Sequence, residues 1–237
     1  MISCKIQTKV SEQERIISMC KVNLLIFIVT LVVLAGGSVY GEDWKVGEKW
    51  IYKHEGPRPY SYSSAMVKGD RTVEVAAIKG EEADKRYLLK INWGTEDANP
   101  ATSYIDPNNM IHKMDIEFLG TLLFNPPVPA FWPLKPGQQK TLKTKMDIMG
   151  FSLPIEYVAK CLKDETISVP AGKFKDCQHV QIISSMQNET GQTVKNKVDH
   201  WYHSKVKNLV KEIIITNYQS DNGYSATSVL KSYTKSD

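Results

Sequence analysis

The sequence has little of what marks a specialised protein class. Only 4 of its 237 residues are cysteine and 14 are glycine, which excludes a disulfide-dense scaffold and a glycine-rich repeat protein. The formal net charge is +4 at pH 7 and the lysines are scattered, which disfavours a nucleic-acid-binding groove. With 42% hydrophobic and 24% charged residues, the composition is that of an ordinary folded protein.

Catalytic signatures are also missing. No Gly-x-Ser-x-Gly elbow, His-Glu-x-x-His motif, Walker loop or dinucleotide-binding glycine pattern occurs in the sequence. His200 and His203 form an HxxH pair, but residues three apart on a strand project to opposite faces, so they are not expected to share a metal ion. The sequence therefore predicts a non-catalytic protein without a metal site or a cofactor.

One long hydrophobic run, Leu24 to Ala35, has the layout of a signal peptide. Lys21 precedes the run, and small residues at 36–38 follow it. We predict that residues 1–41 are a signal peptide, for which Met19 is an alternative start. The other interpretation is an uncleaved membrane anchor, because the uncharged stretch is roughly as long as the shortest bilayer span.

The predicted signal peptide sets the extent of the mature domain and its location. We predict one β-rich domain over residues 42–237, located in the periplasm or outside the cell. Contact with a membrane is expected only through the signal segment, if that segment is not cleaved.

Two cysteines remain after residue 41, and they flank a predicted turn. Cys161 and Cys177 lie on either side of Val169-Pro170-Ala171-Gly172, so an antiparallel hairpin turning there would place them nearly opposite each other. In an oxidising compartment this predicts a disulfide between Cys161 and Cys177. The alternative is two reduced cysteines that pack as small apolar groups.

Alternation with a period of two is the main structural signal in the rest of the chain. Tyr87, Leu89, Ile91 and Trp93 share one face of a predicted strand, for example, and Ile155, Tyr157, Ala159 and Cys161 share one face of another. Turn residues such as Asp106-Pro107-Asn108-Asn109 separate the runs. We predict an all-β protein, an antiparallel β-sandwich or half-barrel built as a meander, with little helix beyond a short stretch near Met114 to Leu122.

The segment Asn125 to Gly137 carries five prolines and is not expected to join a central strand. We predict a long loop or an edge crossing there. Phe131 and Trp132 lie in this segment, where exposed aromatic residues often contact a partner or cover a cavity. The remaining aromatic residues are predicted to fill the core rather than to line a ligand groove.

Four segments of the chain contain short motifs that suggest a family. Thr166 to Cys177 contains a Val-Pro-Ala-Gly-x-Phe hairpin, and Trp201 to Lys211 contains a Trp-Tyr…Leu-Val-Lys segment with Asn208 where the pattern has glycine. Phe131 to Gly137 contains a Pro-Leu-x-x-Gly turn, and Val46 to Tyr52 is a weaker match. These segments resemble those of exported bacterial proteins in the TapB-like and related families of unknown function. The resemblance implies a bacterial β-sandwich or half-barrel that faces the periplasm or the cell surface, with no assigned activity.

Two functions are consistent with these observations. The first is a non-catalytic, envelope-associated interaction or structural role, with an envelope protein as the partner. The alternative is a periplasmic carrier or sensor of an apolar ligand held in a half-barrel. A deep apolar cavity would distinguish the carrier from the interaction domain.

Overall fold

The computed structural model describes residues 44–57, 66–94, 100–117, 119–130, 134–187, 191–219 and 223–236. Within these ranges the helices are short 3-10 turns at Glu82–Asp84 and Ser204–Val206, and neither is long and apolar enough to cross a membrane. All other regular structure is β-strand: β1 Lys49–Pro57, β2 Met66–Lys79, β3 Arg86–Trp93, β4 Ala101–Ile105, β5 Met110–Ile116, β6 Gly120–Pro129, β7 Gln139–Ile148, β8 Phe151–Val169, β9 Gly172–Gln187, β10 Thr193–His203, β11 Asn208–Ile215 and β12 Ser225–Thr234.

The strands form one closed antiparallel barrel in which each strand pairs with its neighbours in sequence. The barrel closes because β1 also pairs with β12, with Lys49 opposite Thr234 and Glu55 opposite Thr227. This closure corrects the predicted sandwich or half-barrel, whereas the all-β class and the meander order agree with the prediction. Alternation shows which face of a strand is buried, but no local pattern specifies a pairing between strands so far apart in sequence.

Inward-facing side chains form the core. Tyr87, Leu89, Ile91 and Trp93 of β3 all face inward and are at most 8% exposed, as their alternation predicts. Other inward positions carry further aromatic and branched residues, among them Trp50, Tyr52, Val73, Ile105, Ile111 and Met114. The prediction that most aromatic residues fill the core is confirmed for these positions.

The alternating strand directions give the barrel two distinct ends. The connections β1–β2, β3–β4, β5–β6, β7–β8, β9–β10 and β11–β12 lie at one end, which we call the distal end. The start of β1 and the remaining connections lie at the other, proximal end.

The β8–β9 hairpin is longer than the others and closes over the proximal end. Its strands contain 19 and 16 residues, and their register shifts twice, between Cys161 and Asp164 and between Glu165 and Ile167. At the hairpin tip the backbone amide of Ala171 donates to the carbonyl of Leu230 on β12, over 3.1 Å. Bulges of this kind bend a strand, which lets the hairpin leave the wall and reach β12.

Two local predictions in the middle of the chain are wrong. The described residues between Met114 and Leu122 are not helical and instead belong to the β5–β6 hairpin, in which Met114 pairs with Leu122. The segment from Asn125 was predicted to be a loop or an edge crossing, but its first residues, as far as Pro129, belong to β6. In this strand the pairing with β7 extends only as far as Asn125. Pro126 and Pro127 therefore follow the point where β6 leaves β7, so their missing N–H groups break no bond of that ladder.

Candidate functional site

A row of polar side chains crosses the interior of the barrel. His200, Glu212, Ser228 and His54 are direct cross-strand neighbours on β10, β11, β12 and β1, and all are at most 5% exposed. Arg71 of β2 reaches the row from the other side of β1 and is 1% exposed. Buried charges of this kind are rare unless they are paired.

Glu212 is the acceptor at the centre of this row. The Nη1 group of Arg71 donates to Oε2 of Glu212 over 2.9 Å, and Nε2 of His200 lies 3.1 Å from Oε1. Burial alone would raise the pKa of Glu212, but the charge of Arg71 and the hydrogen bond from His200 outweigh it and hold the pKa below its ordinary value. The guanidinium also lies 4.6 Å from the centre of the Tyr52 ring, a cation–π contact.

His54 completes the row as a neutral side chain. Its Nδ1 atom lies 3.0 Å from the hydroxyl of Ser228, and its ring packs edge-on against Trp93 at 4.7 Å. Burial, reinforced by the positive charge of Arg71, lowers the pKa of His54 to about 4. Arg71 and Glu212 carry opposite charges at hydrogen-bond distance within the row, which is the chemistry of a structural tie between β2 and β11.

A second cluster lies on the outer face and fastens the bent part of β8 to β10. The two ring nitrogens of His179 lie 3.3 Å from Glu165 and 3.0 Å from Asp199, and the ring stacks on Trp201 at 4.2 Å. Trp201 donates its Nε1 hydrogen to Glu165 over 3.0 Å, and this bond is the main cause of the lowered pKa of Glu165. The ammonium of Lys211 lies over the Trp201 ring at 4.7 Å. Every member has a partner, so we interpret this cluster as structural.

The distal end carries an exposed apolar turn between β7 and β8. Met149 and Gly150 form the turn, with φ of 48° and 83°, and Ile148 pairs with Phe151. Met149 is 70% exposed, Phe151 55% and Leu123, on the neighbouring strand β6, 48%. We call Leu123, Met149 and Phe151 the distal apolar turn.

The two cysteines predicted to form a disulfide are both buried and both free thiols in the structure. They are not directly opposite: Cys161 pairs with Val180, and Cys177 pairs with Glu165 beyond the first register shift. Burial raises the pKa of both thiols, for Cys177 to about 11. The disulfide stays a prediction for protein in an oxidising compartment.

The remaining residues singled out in the sequence are either outside the described part of the chain or far from a common site. Phe131 and Trp132, as well as the signal segment 1–41, lie outside the described residues. His200 faces the interior, whereas His203 ends β10 and accepts a hydrogen bond from the amide of Lys205, so the two histidines do not converge.

Sequence reasoning missed the polar row and the distal apolar turn. His54 lies on the same strand face as Trp50 and Tyr52, and Lys211 and Glu212 interrupt the apolar sequence of β11 between Val210 and Ile213. A polar residue at an inward position was therefore an available signal for the row. Met149-Gly150 escaped notice because hairpin turns are sought as Asn-Gly or Asp-Gly.

Neither a family model nor a curated protein matches this chain. Solved structures do resemble it. A protein from Bacteroides fragilis classed as exported, with a YmcC-like fold, is 12% identical with a TM-score of 0.53, and the alignment covers 84% of this chain and 100% of that chain. At this identity the likeness shows the fold alone.

Two further structures are more distant. A lipoprotein from Parabacteroides distasonis is 12% identical with a TM-score of 0.48, covering 81% of this chain and 100% of its own. A β-barrel-like protein of a domain of unknown function, DUF1849, from Brucella abortus is 10% identical with a TM-score of 0.39, covering 83% and 100%. None of these comparisons names a TapB-like protein, and what they share with that resemblance is export or unknown function.

Proposed function

We propose that this chain is an exported barrel domain of the cell envelope that works by binding at its outer surface, in an interaction or structural role. The observation that carries this proposal is the packing of the interior. Val75, Leu89, Ile105, Ile111 and Met114, on four neighbouring strands, are each 0% exposed. A space large enough for a ligand would leave its lining side chains accessible, so binding inside requires these residues to move.

Export is supported by two separate observations. Residues 1–41 have the layout of a signal peptide. The structure from Bacteroides fragilis, which has the same fold, is of a protein classed as exported. We therefore propose a periplasmic or extracellular location for residues 42–237 of this chain.

Location is tested by fractionating cells that express the full chain. We expect the protein in the periplasmic or extracellular fraction, with an amino terminus at or within a few residues of Glu42 by terminal sequencing. A membrane-bound species that retains Leu24 to Ala35 would identify an anchor. Full-length protein confined to the cytoplasm would overturn the proposal.

The choice between surface binding and a carrier is tested on the exported protein. Because the described interior is packed, we expect mass spectrometry of an organic extract to find no apolar compound in stoichiometric amount. A fluorescent fatty-acid probe should likewise show no saturable uptake. A co-purified lipid, or saturable uptake with one site per chain, would favour the carrier and contradict surface binding.

A further inference from the structure

We infer that two copies of this chain associate edge to edge through the end of β8, where residues 164–169 of each copy pair as antiparallel strands. We call residues 164–169 the β8 extension. The inference rests on the proposed surface-binding function and names both the surface and the partner, a second copy of the chain related by a two-fold axis.

The β8 extension continues past the wall of the barrel with a neighbouring strand on one side only. β8 pairs with β7 as far as Lys160, and the last bonds on that side join Cys161 to Gly137 and Gln138, over 2.9 and 3.0 Å. Beyond Cys161 the pairing continues with β9 alone. Among the described residues, none forms a hydrogen bond with the other side of the extension, which is therefore an open strand edge.

Alternate residues of the extension direct their N–H and C=O groups to this open edge. Both backbone groups of Cys161 point to the β7 side, and from Cys161 to Asp164 β8 takes one step more than β9. This extra residue turns the backbone groups of Asp164 to the same side as those of Cys161, and Thr166 and Ser168 follow in alternation. Each of these three residues offers one donor and one acceptor to a partner strand.

The β8 extension lacks features that usually protect an exposed edge, such as lysine, proline and bulges that twist the edge away. Lys163 and the extra residue of the first register shift precede it, and Pro170 follows it. The second register shift adds its residue to β9, so β8 alternates regularly between exposed and half-buried positions from Asp164 to Val169. The extension reads Asp-Glu-Thr-Ile-Ser-Val, and its three β-branched residues suit a paired strand.

Contacts with the rest of the barrel hold the extension in place at both ends. Near its start, Glu165 accepts a hydrogen bond from Trp201 and lies 3.3 Å from the ring of His179, which also satisfies its charge within its own copy. Just past its end, the amide of Ala171 donates to the carbonyl of Leu230. A partner strand therefore meets an edge that is already ordered, which lowers the entropy cost of association.

Charge and length select one register for two such strands. In a two-fold antiparallel pair, one residue lies opposite its own copy. Lys163, Asp164 and Glu165 are unsuitable at that position, because like charges directly opposite each other are destabilising. A pairing centred on Thr166 aligns residues 163–169 and is the longest that remains, since β8 is already paired before the extension and turns after it.

This register uses every backbone group on the open edge. Thr166 lies opposite Thr166 of the second copy, and Asp164 lies opposite Ser168 on each side of the axis. These are the residues whose N–H and C=O groups face outward, so each of the three pairs exchanges two N–H···O bonds. Two threonines directly opposite each other also form a favourable side-chain pair.

The charges of the hairpin are compatible with this contact. Residues 162–177 contain three lysines and three acidic residues, so two copies of the segment have no net charge that would keep them apart. Lys173 lies opposite Ser168 on β9, is exposed, and forms no ion pair with the described residues. In the register centred on Thr166, Asp164 of the second copy lies on the other side of Ser168, within reach of the extended side chain of Lys173.

The experiment is sedimentation velocity of the exported protein over a range of concentrations up to about 1 mM. We expect a reversible monomer–dimer equilibrium with a dissociation constant on the order of 10–100 µM, because strands of this length bury less than the roughly 800 Å² per partner of a stable complex. Hydrogen exchange of the β8 extension should slow as the dimer forms, since its outward amides become bonded.

Thr166→Pro should weaken the dimer at least tenfold, because proline removes the central donor of both copies. The N–H of Thr166 faces the open edge, so the variant breaks no bond between β8 and β9 and should remain folded. Thr166→Lys keeps the donor but places two lysines opposite each other, and should weaken the dimer about fivefold.

The matched control is Thr141→Lys. Thr141 is exposed on β7, which pairs with β6 only from Lys145 onwards, and it lies between Lys140 and Lys143. That unpaired stretch is already protected by lysines, so the same substitution should leave the dissociation constant of the dimer unchanged.

Three outcomes would overturn the inference: a monomer at every concentration, an unchanged dissociation constant in Thr166→Pro and Thr166→Lys, or a dimer that leaves hydrogen exchange of residues 164–169 unaltered. Each of these can occur in an exported barrel that binds a different protein at its surface. The inference would then fail while the proposed surface-binding function stands, because that function is tested separately by cell fractionation and lipid extraction.

Discussion

Replacing Glu212 with glutamine is expected to lower the free energy of unfolding by about 3–5 kcal/mol. The substitution keeps the size of the side chain but leaves the guanidinium of Arg71, 1% exposed, without its counter-charge. Removing one partner of a buried pair costs more than the pair contributes, because the remaining charge stays desolvated. Urea denaturation at pH 7 measures the change.

Two variants sharpen this experiment. Glu55→Gln breaks the exposed ion pair with Lys68, which is 2.6 Å long, and should change the stability by no more than about 0.5 kcal/mol. The double variant Arg71→Met with Glu212→Leu removes both charges together and should recover most of the stability lost in Glu212→Gln. If Glu55→Gln and Glu212→Gln lowered the free energy of unfolding equally, the Arg71–Glu212 pair would not have the cost expected of a buried ion pair.

Acidification from pH 7 to pH 4 is expected to destabilise the barrel by on the order of 3 kcal/mol through His54 alone. Burial and the charge of Arg71 lower the pKa of His54 to about 4 in the folded protein, whereas the ordinary value is 6.5. Between pH 4 and pH 6.5, His54 is protonated in the unfolded chain but not in the folded chain. The contribution is therefore complete above pH 6.5 and is lost as the pH falls towards 4.

The measurement is the free energy of unfolding at several pH values for the parent chain and for His54→Gln. The variant should show a flatter dependence between pH 6.5 and pH 4. Below about pH 4.5 both proteins should still lose stability, because the pKa of Glu212 is held below its ordinary value and protonation then favours the unfolded chain. Identical slopes above pH 4.5 would show that His54 does not titrate as its surroundings imply.

Strand faces could be predicted from the sequence because they depend on neighbouring residues. The alternation of Tyr87, Leu89, Ile91 and Trp93 is local, and the structure buries all four. The closure of the barrel depends instead on the pairing of β1 with β12, which is decided by twist, bulges and strand number together. Alternation is the same in a sandwich, a half-barrel and a closed barrel.

Single inward polar residues of the polar row could be identified from the sequence, but the contacts between them could not, for a related reason. Glu212 and His200 are brought together by pairing between neighbouring strands, but Arg71 joins them from two strands beyond β12. Each residue alone reads as an isolated polar side chain in a strand. The distal apolar turn, in contrast, was readable in principle, because Met149-Gly150 separates two alternating runs at the spacing of a hairpin.

The pairing of β1 with β12 has a consequence while the chain is being synthesised. Until Ser225–Thr234 is available, β1 and β11 each lack a partner on one side, so an incomplete chain presents two open sheet edges. Open edges recruit other strands and promote aggregation. The order of strands thus makes the nascent chain depend on β12, and a chain kept unfolded until β12 is available avoids the hazard.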